Sequence, residues 1–200
     1  MSVRPSRRAV GAAFVFLPML SSGCGGSPEQ AAAEPAAETS VAAFDAMSEL
    51  ASAVNQVQDK MVALAEAIPE DRYDWRPGEG VRSVAEVFMH VAADNYVLAI
   101  PAGTPAPAAT GITMDYAGTV VPYENRSADK AEIVADLRAS FQHLLGAMDR
   151  ARDADAPADM FGRSSTVGAL WVMTTTHMHE HLGQAIAYAR SNGVVPPWSQ

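Results

Sequence analysis

His177-Met178-His179-Glu180-His181-Leu182-Gly183-Gln184 holds three of the five histidines in a 200-residue chain. At about 100° per residue of helix, His177 and His181 fall one turn apart on one face, where both imidazoles can reach a single metal ion. His179 points the opposite way. The surroundings predict a helix: Leu170 to Arg190 contains no proline, and Ser164, Ser165 and Thr166 before it and Gly193 after it are cap candidates. Such a pair also occurs on ordinary solvated or packed helix faces, so ligation needs a third ligand from elsewhere in the fold.

Upstream, the apolar residues keep the same helical period. Phe44, Met47, Ala51, Val54, Val57, Met61, Leu64 and Ile68 recur at threes and fours and predict a first helix from about Val41 to Pro69. Residues 73–80, with Trp75, Pro77, Gly78 and Gly80, read as a turn-rich connection. Ser83-Val84-Ala85-Glu86 has the capping-box pattern and opens a second helix with the stripe Val84, Val87, Phe88, Val91 and Leu98, running to Pro101. His90 lies at the edge of that stripe, one turn before Asp94. It is the candidate third ligand, the alternative being a helix histidine hydrogen-bonded to Asp94, and Asn95 reads as a satisfied polar residue of the core.

From Pro101 to Arg126 the chain holds four prolines and three glycines, a long connection of the kind that is functional or mobile and can cover a site. Ser127 caps a third predicted helix with the stripe Ile133, Val134, Leu137, Phe141, Leu144, Leu145 and Met148, ending near Asp153; His143 lies off the stripe and reads as a surface residue. A linker with Pro157 and Gly162 leads to the fourth helix, and no period of two is visible. The expectation is an all-α four-helix bundle with a long crossover between helices 2 and 3, which would run parallel.

The first 23 residues read as a secretory leader, with Arg4, Arg7 and Arg8 ahead of an apolar run from Ala9 to Leu20 that is too short to span a bilayer. Leu20-Ser21-Ser22-Gly23-Cys24 resembles a lipobox with Ser21 where leucine is usual, so Cys24 is the expected lipidation site; a small residue near an ordinary cleavage site is the alternative. Cys24 is the only cysteine, which excludes an intrachain disulfide. Residues 24–40, rich in Ala, Glu, Pro, Gly and Ser, read as a flexible tether, leaving the bundle at 41–200. The expected location is the cell envelope, outside the cytoplasmic membrane, with the lipid anchor as the membrane contact. Without the leader, 11 basic residues face 23 acidic ones, a net charge of −12, and nucleic acid is excluded as a partner. Oligomeric state stays open, a dimer included.

His177-x-x-Glu180-His181 also fits the pattern of inverted zinc proteases, but no acidic residue stands between Leu182 and Gln200 to complete it. The chain resembles instead the DinB/YfiT-like four-helix-bundle family of metal-dependent enzymes, over about Val41 to Trp198. The resemblance rests on Asp74-Trp75-Arg76-Pro77, on Ser83-Val84-Ala85-Glu86 leading to His90, on His177-x-x-x-His181-x-Gly183-Gln184, and on Tyr188-Ala189-Arg190 followed by Gly193 to Pro197. It implies a divalent metal, zinc or nickel, on His90, His177 and His181. Two positions depart from the family's habit, Arg82 for a tryptophan and Leu182 for an arginine, and neither removes a ligand. The family includes transferases and isomerases that use a low-molecular-weight thiol, and hydrolysis is the older assignment. Three imidazoles would leave a position open for water or a small-molecule substrate, which favours an enzyme over a non-catalytic metal-binding module. Asp94, one turn after His90, would close the site as a fourth ligand, while Glu180 and Gln184 would orient a ligand or bound water or else serve as a solvated carboxylate and a packing amide.

Overall fold

Asp45 starts the first helix by accepting a hydrogen bond from the Met47 amide, so α1 (Ala46–Ala67) begins later than the apolar pattern indicates, and Phe44 is left exposed outside it. The computed structural model describes residues 43–199; the leader, Cys24 and the tether lie outside the described residues. The α1 stripe from Val54 to Ile68 is buried as its period requires. Tyr73 then donates its hydroxyl to the Ala65 carbonyl, which folds the connection back against the end of α1.

The Ser83–Glu86 capping box is formed, and α2 (Val84–Val97) follows with every residue except Glu86 buried. That burial is wider than the stripe predicts, because the crossover covers the outer side of α2 with α3 (Val121–Glu124) and a π turn at Tyr116–Val120. Asp129, not Ser127, caps α4 (Lys130–Arg150), while the Ser127 hydroxyl bonds the Glu132 carboxyl. Ile133, Leu137, Phe141 and Leu144 of α4 are fully buried.

The linker before the last helix is a hairpin, which the sequence pattern did not reveal. β1 (Pro157–Met160) pairs antiparallel with β2 (Arg163–Thr166) through a tight turn in which Phe161 and Gly162 both have positive φ. Strands of four residues are too short to display a period of two, and a phenylalanine stands where such a turn usually carries Asn or Asp. Ser164 and Ser165 are therefore strand residues, and Thr166 alone caps α5 (Val167–Ser191). Gly193, at φ 74°, turns the chain out of that helix.

Contacts fix the directions. Asp45 pairs with Arg152 at one end of α1, and Lys130 reaches the Ile68 carbonyl at the other, so α1 and α4 are antiparallel. Asn95 meets Ser140 and Thr104 meets Arg150, so α2 and α4 run parallel, joined by the expected crossover. Residues 90 and 94 face residues 181 and 177, so α5 is antiparallel to α2. The four long helices form a bundle in which α1 and α2 each pack against both α4 and α5. No helix among the described residues is long and apolar enough to cross a membrane.

Candidate metal centre

Antiparallel packing of α2 on α5 turns two one-turn spacings into a square: His90 comes opposite His181, and Asp94 opposite His177. The Nε2 atoms of His90 and His181 are 3.0 Å apart, and Asp94 Oδ2 lies 2.6 Å from His177 Nε2 and 3.3 Å from His90 Nε2. One donor atom from each of the four residues lies within 4.8 Å of every other. The three imidazole planes stand nearly perpendicular to one another, at 80–89°, around this shared point.

The outer nitrogens decide what the inner ones can do. His90 Nδ1 donates to Glu124 Oε1 at 2.7 Å, and His181 Nδ1 donates to Gln184 Oε1 at 3.0 Å, while Gln184 in turn donates to the Tyr188 hydroxyl. Each proton is thereby held on Nδ1, and each Nε2 presents a lone pair inward. Two lone pairs 3.0 Å apart repel unless a cation or a proton lies between them. Two carboxyl groups, Asp94 and Glu124, are buried at the same place, and among the described residues only the half-exposed Arg82 guanidinium, 3.4 Å from Glu124, brings a fixed positive charge to them. Buried carboxylates need a compensating charge. The donor set therefore fits a divalent cation, which would displace the proton between His177 and Asp94: two imidazole lone pairs, a third ring nitrogen, an inward-facing carboxylate oxygen and a local excess of negative charge.

Protonation follows the same geometry. The hydrogen bond from His177 to Asp94 raises the His177 pKa against the effect of burial, whereas burial and the neighbouring imidazoles lower that of His181. Burial and the two carboxylates push the Tyr116 hydroxyl upward, so it keeps its proton and donates to Asp94 Oδ1 at 3.0 Å and Glu124 Oε1 at 3.3 Å.

The structure thus brings together His90, Asp94, His177 and His181 and places Gln184 against His181. Glu180 stays at the solvent edge, its side chain 77% exposed and 3.8 Å from His177 Nδ1. His179 bonds the Thr175 carbonyl away from the cluster. His143 is half-buried against the Tyr96 ring rather than on the surface, because Tyr96 reaches across from α2. Sequence reasoning missed Tyr116 and Glu124. Both lie in the Pro/Gly-rich crossover, where there is no period to read; the one available signal was Pro122 at the start of a short helix that carries an acid.

Known proteins place this architecture. The chain is similar in fold to a DinB-like protein from Bacillus cereus ATCC 10987, at a TM-score of 0.62 and 16% identity over 75% of this chain and 95% of that one. A DinB-like protein from Bacillus subtilis matches at a TM-score of 0.57 and 21% identity, over 76% of this chain and 97% of that one. An uncharacterised protein from Escherichia coli UTI89 matches at 0.54 and 16%, with 76% and 97% covered. No curated protein matches the chain. The family model of the DinB superfamily matches residues 53–185, a span that runs from within α1 through the second histidine of the α5 pair, and the chain belongs to the DinB superfamily.

Proposed function

We propose that this chain is an exported, lipid-anchored metalloprotein of the cell envelope that holds one divalent ion, zinc or nickel, on His90, His177, His181 and Asp94 and acts on a small molecule. The observation that carries the metal-binding part of this reading is the gathering of three imidazoles and one buried carboxylate, with donor atoms within 4.8 Å of one another and two of the outer ring nitrogens already held by Glu124 and Gln184. When bound, the ion supplies a Lewis acid that polarises a water, a thiol or a carbonyl group.

The chain's own residues prepare the rest. Gln184 and Glu124 hold two imidazole tautomers, and Tyr116 occupies Asp94 Oδ1, while Oδ2, which accepts from His177 Nε2, faces the centre. His177, with 28% of its side chain exposed, marks the edge through which a small molecule reaches the donors, and Glu180 lies beside it on the solvent side. An exported location favours hydrolysis over transfer of a low-molecular-weight thiol, because such thiols are kept reduced in the cytosol. Mass spectrometry of the membrane fraction tests the location: a diacylated Cys24 supports it, and an intact leader contradicts it and puts thiol transfer first.

One observation favours a second reading. Asp94 brings the donor set to four, which completes the tetrahedral shell of zinc and suits a non-catalytic metal-binding module. Absorption spectra of the cobalt-substituted protein separate the two. Bands shifted by an added anion or small thiol indicate an accessible position and an enzyme. Unshifted bands, with no turnover of ester, amide or electrophile-plus-thiol panels, indicate the module.

A further inference from the structure

The crossover does more than connect. Its Glu124 side chain, 7% exposed, accepts from His90 Nδ1, from the Tyr116 hydroxyl and from Arg82. Its Tyr116 donates to Asp94 Oδ1. Each of the two α2 members of the cluster is therefore gripped on its outer atom by a crossover residue, which leaves Nε2 and Oδ2 as the atoms that face α5.

The segment that supplies these groups cannot hold itself in place, since α3 has four residues, too few for a self-supporting helix. Its anchorage uses none of the four donors. The Tyr123 ring packs on Tyr96 at 6.0 Å, and the Arg126 guanidinium lies 3.9 Å above the Tyr123 ring while pairing with Asp136 of α4.

We infer that the crossover is a strap whose Glu124 and Tyr116 are positioning residues for the metal centre, so that strap docking and metal loading are coupled; this rests on the reading of the four-residue cluster as that centre. A carboxylate on Nδ1–H fixes the ring and raises the basicity of Nε2. Coupling is reciprocal: whatever docking adds to metal affinity, the metal returns to docking.

The test is zinc affinity of the whole chain by chelator competition, with hydrogen exchange of residues 113–126 measured with and without zinc. Glu124→Ala is expected to weaken zinc about 10- to 100-fold, the range for loss of a carboxylate behind a ligating histidine. Glu124→Gln, which keeps an acceptor for the ring but not the charge, recovers part of that loss and shifts the visible bands of the cobalt form. Tyr116→Phe weakens zinc in the same direction by a smaller factor. Asp136→Ala, which touches none of the four donors, also weakens zinc, and zinc slows exchange in the strap of the wild-type chain. Wild-type affinity in both Glu124→Ala and Tyr116→Phe, or strap exchange indifferent to zinc, overturns the inference while leaving the centre standing. A wild-type chain that binds no zinc, nickel or cobalt overturns the centre itself, and the inference with it.

Discussion

Helix α2 carries polar side chains toward both of its neighbours, and the two faces are finished differently. Toward α5, His90 and Asp94 have partners on their outer atoms and converge on their inner ones. Toward α4, Asn95 donates to Ser140 Oγ at 3.0 Å but its Oδ1 has no partner among the described residues. His143 rests 5.2 Å from the Tyr96 ring, and its Nε2 likewise has no partner among the described residues. Burial, with the Arg150 charge, lowers the His143 pKa and so favours the neutral ring. Two histidines of one bundle, one buried and one half-buried, thus take opposite roles. The difference lies in the second ring nitrogen: a carboxylate behind His90 aims its lone pair at other donors, and nothing aims that of His143.

The strongest way to break this contrast is to remove a ring from each face. His90→Ala or His177→Ala should lower zinc affinity by more than the ~100-fold that loss of a supporting residue gives, while His143→Ala leaves it unchanged by chelator competition. Equal losses in all three would erase the distinction. Phe141→Ala, in the fully buried stripe of α4, should cost about 3–5 kcal/mol in urea unfolding with zinc affinity retained; a parallel fall in affinity would show that the faces are not separable. Asn95→Leu replaces a half-satisfied amide with an apolar group of similar size, and the change in stability should stay within about 1 kcal/mol.

The smallest effect is at the start of α2, which both faces share. Burial raises the Glu86 pKa, but the Ser83 amide and Arg76 outweigh it, and the net shift is downward. A depressed folded pKa contributes stability above the unfolded value of about 4.3, and that stability is lost as pH falls through the folded value. Acid unfolding should therefore include a contribution of up to about 1 kcal/mol, reduced by solvent screening, that Glu86→Gln removes. An unchanged pH profile in that variant would show that the box does not set α2.

Much of this was legible in the sequence, for a physical reason. The pair His177 and His181, the sequence Ser83 to His90, and Asp94 one turn later all obey helix periodicity, which burial enforces along every long helix here. Tyr116 and Glu124 were not legible, because their position depends on a crossover folding over α2, and a Pro/Gly-rich segment records no period of its own. The hairpin at Pro157 to Thr166 escaped for a similar reason, its strands being too short to alternate visibly. His143 was misplaced because its burial comes from Tyr96, a residue on another helix.

The most direct test of the central claim is X-ray absorption of the purified zinc- or nickel-loaded chain, which counts the groups bound to the ion. The account predicts about one ion per chain with three imidazole nitrogens and at least one oxygen in its coordination shell. Fewer than three imidazoles, or a spectrum unchanged in His181→Ala, would contradict it.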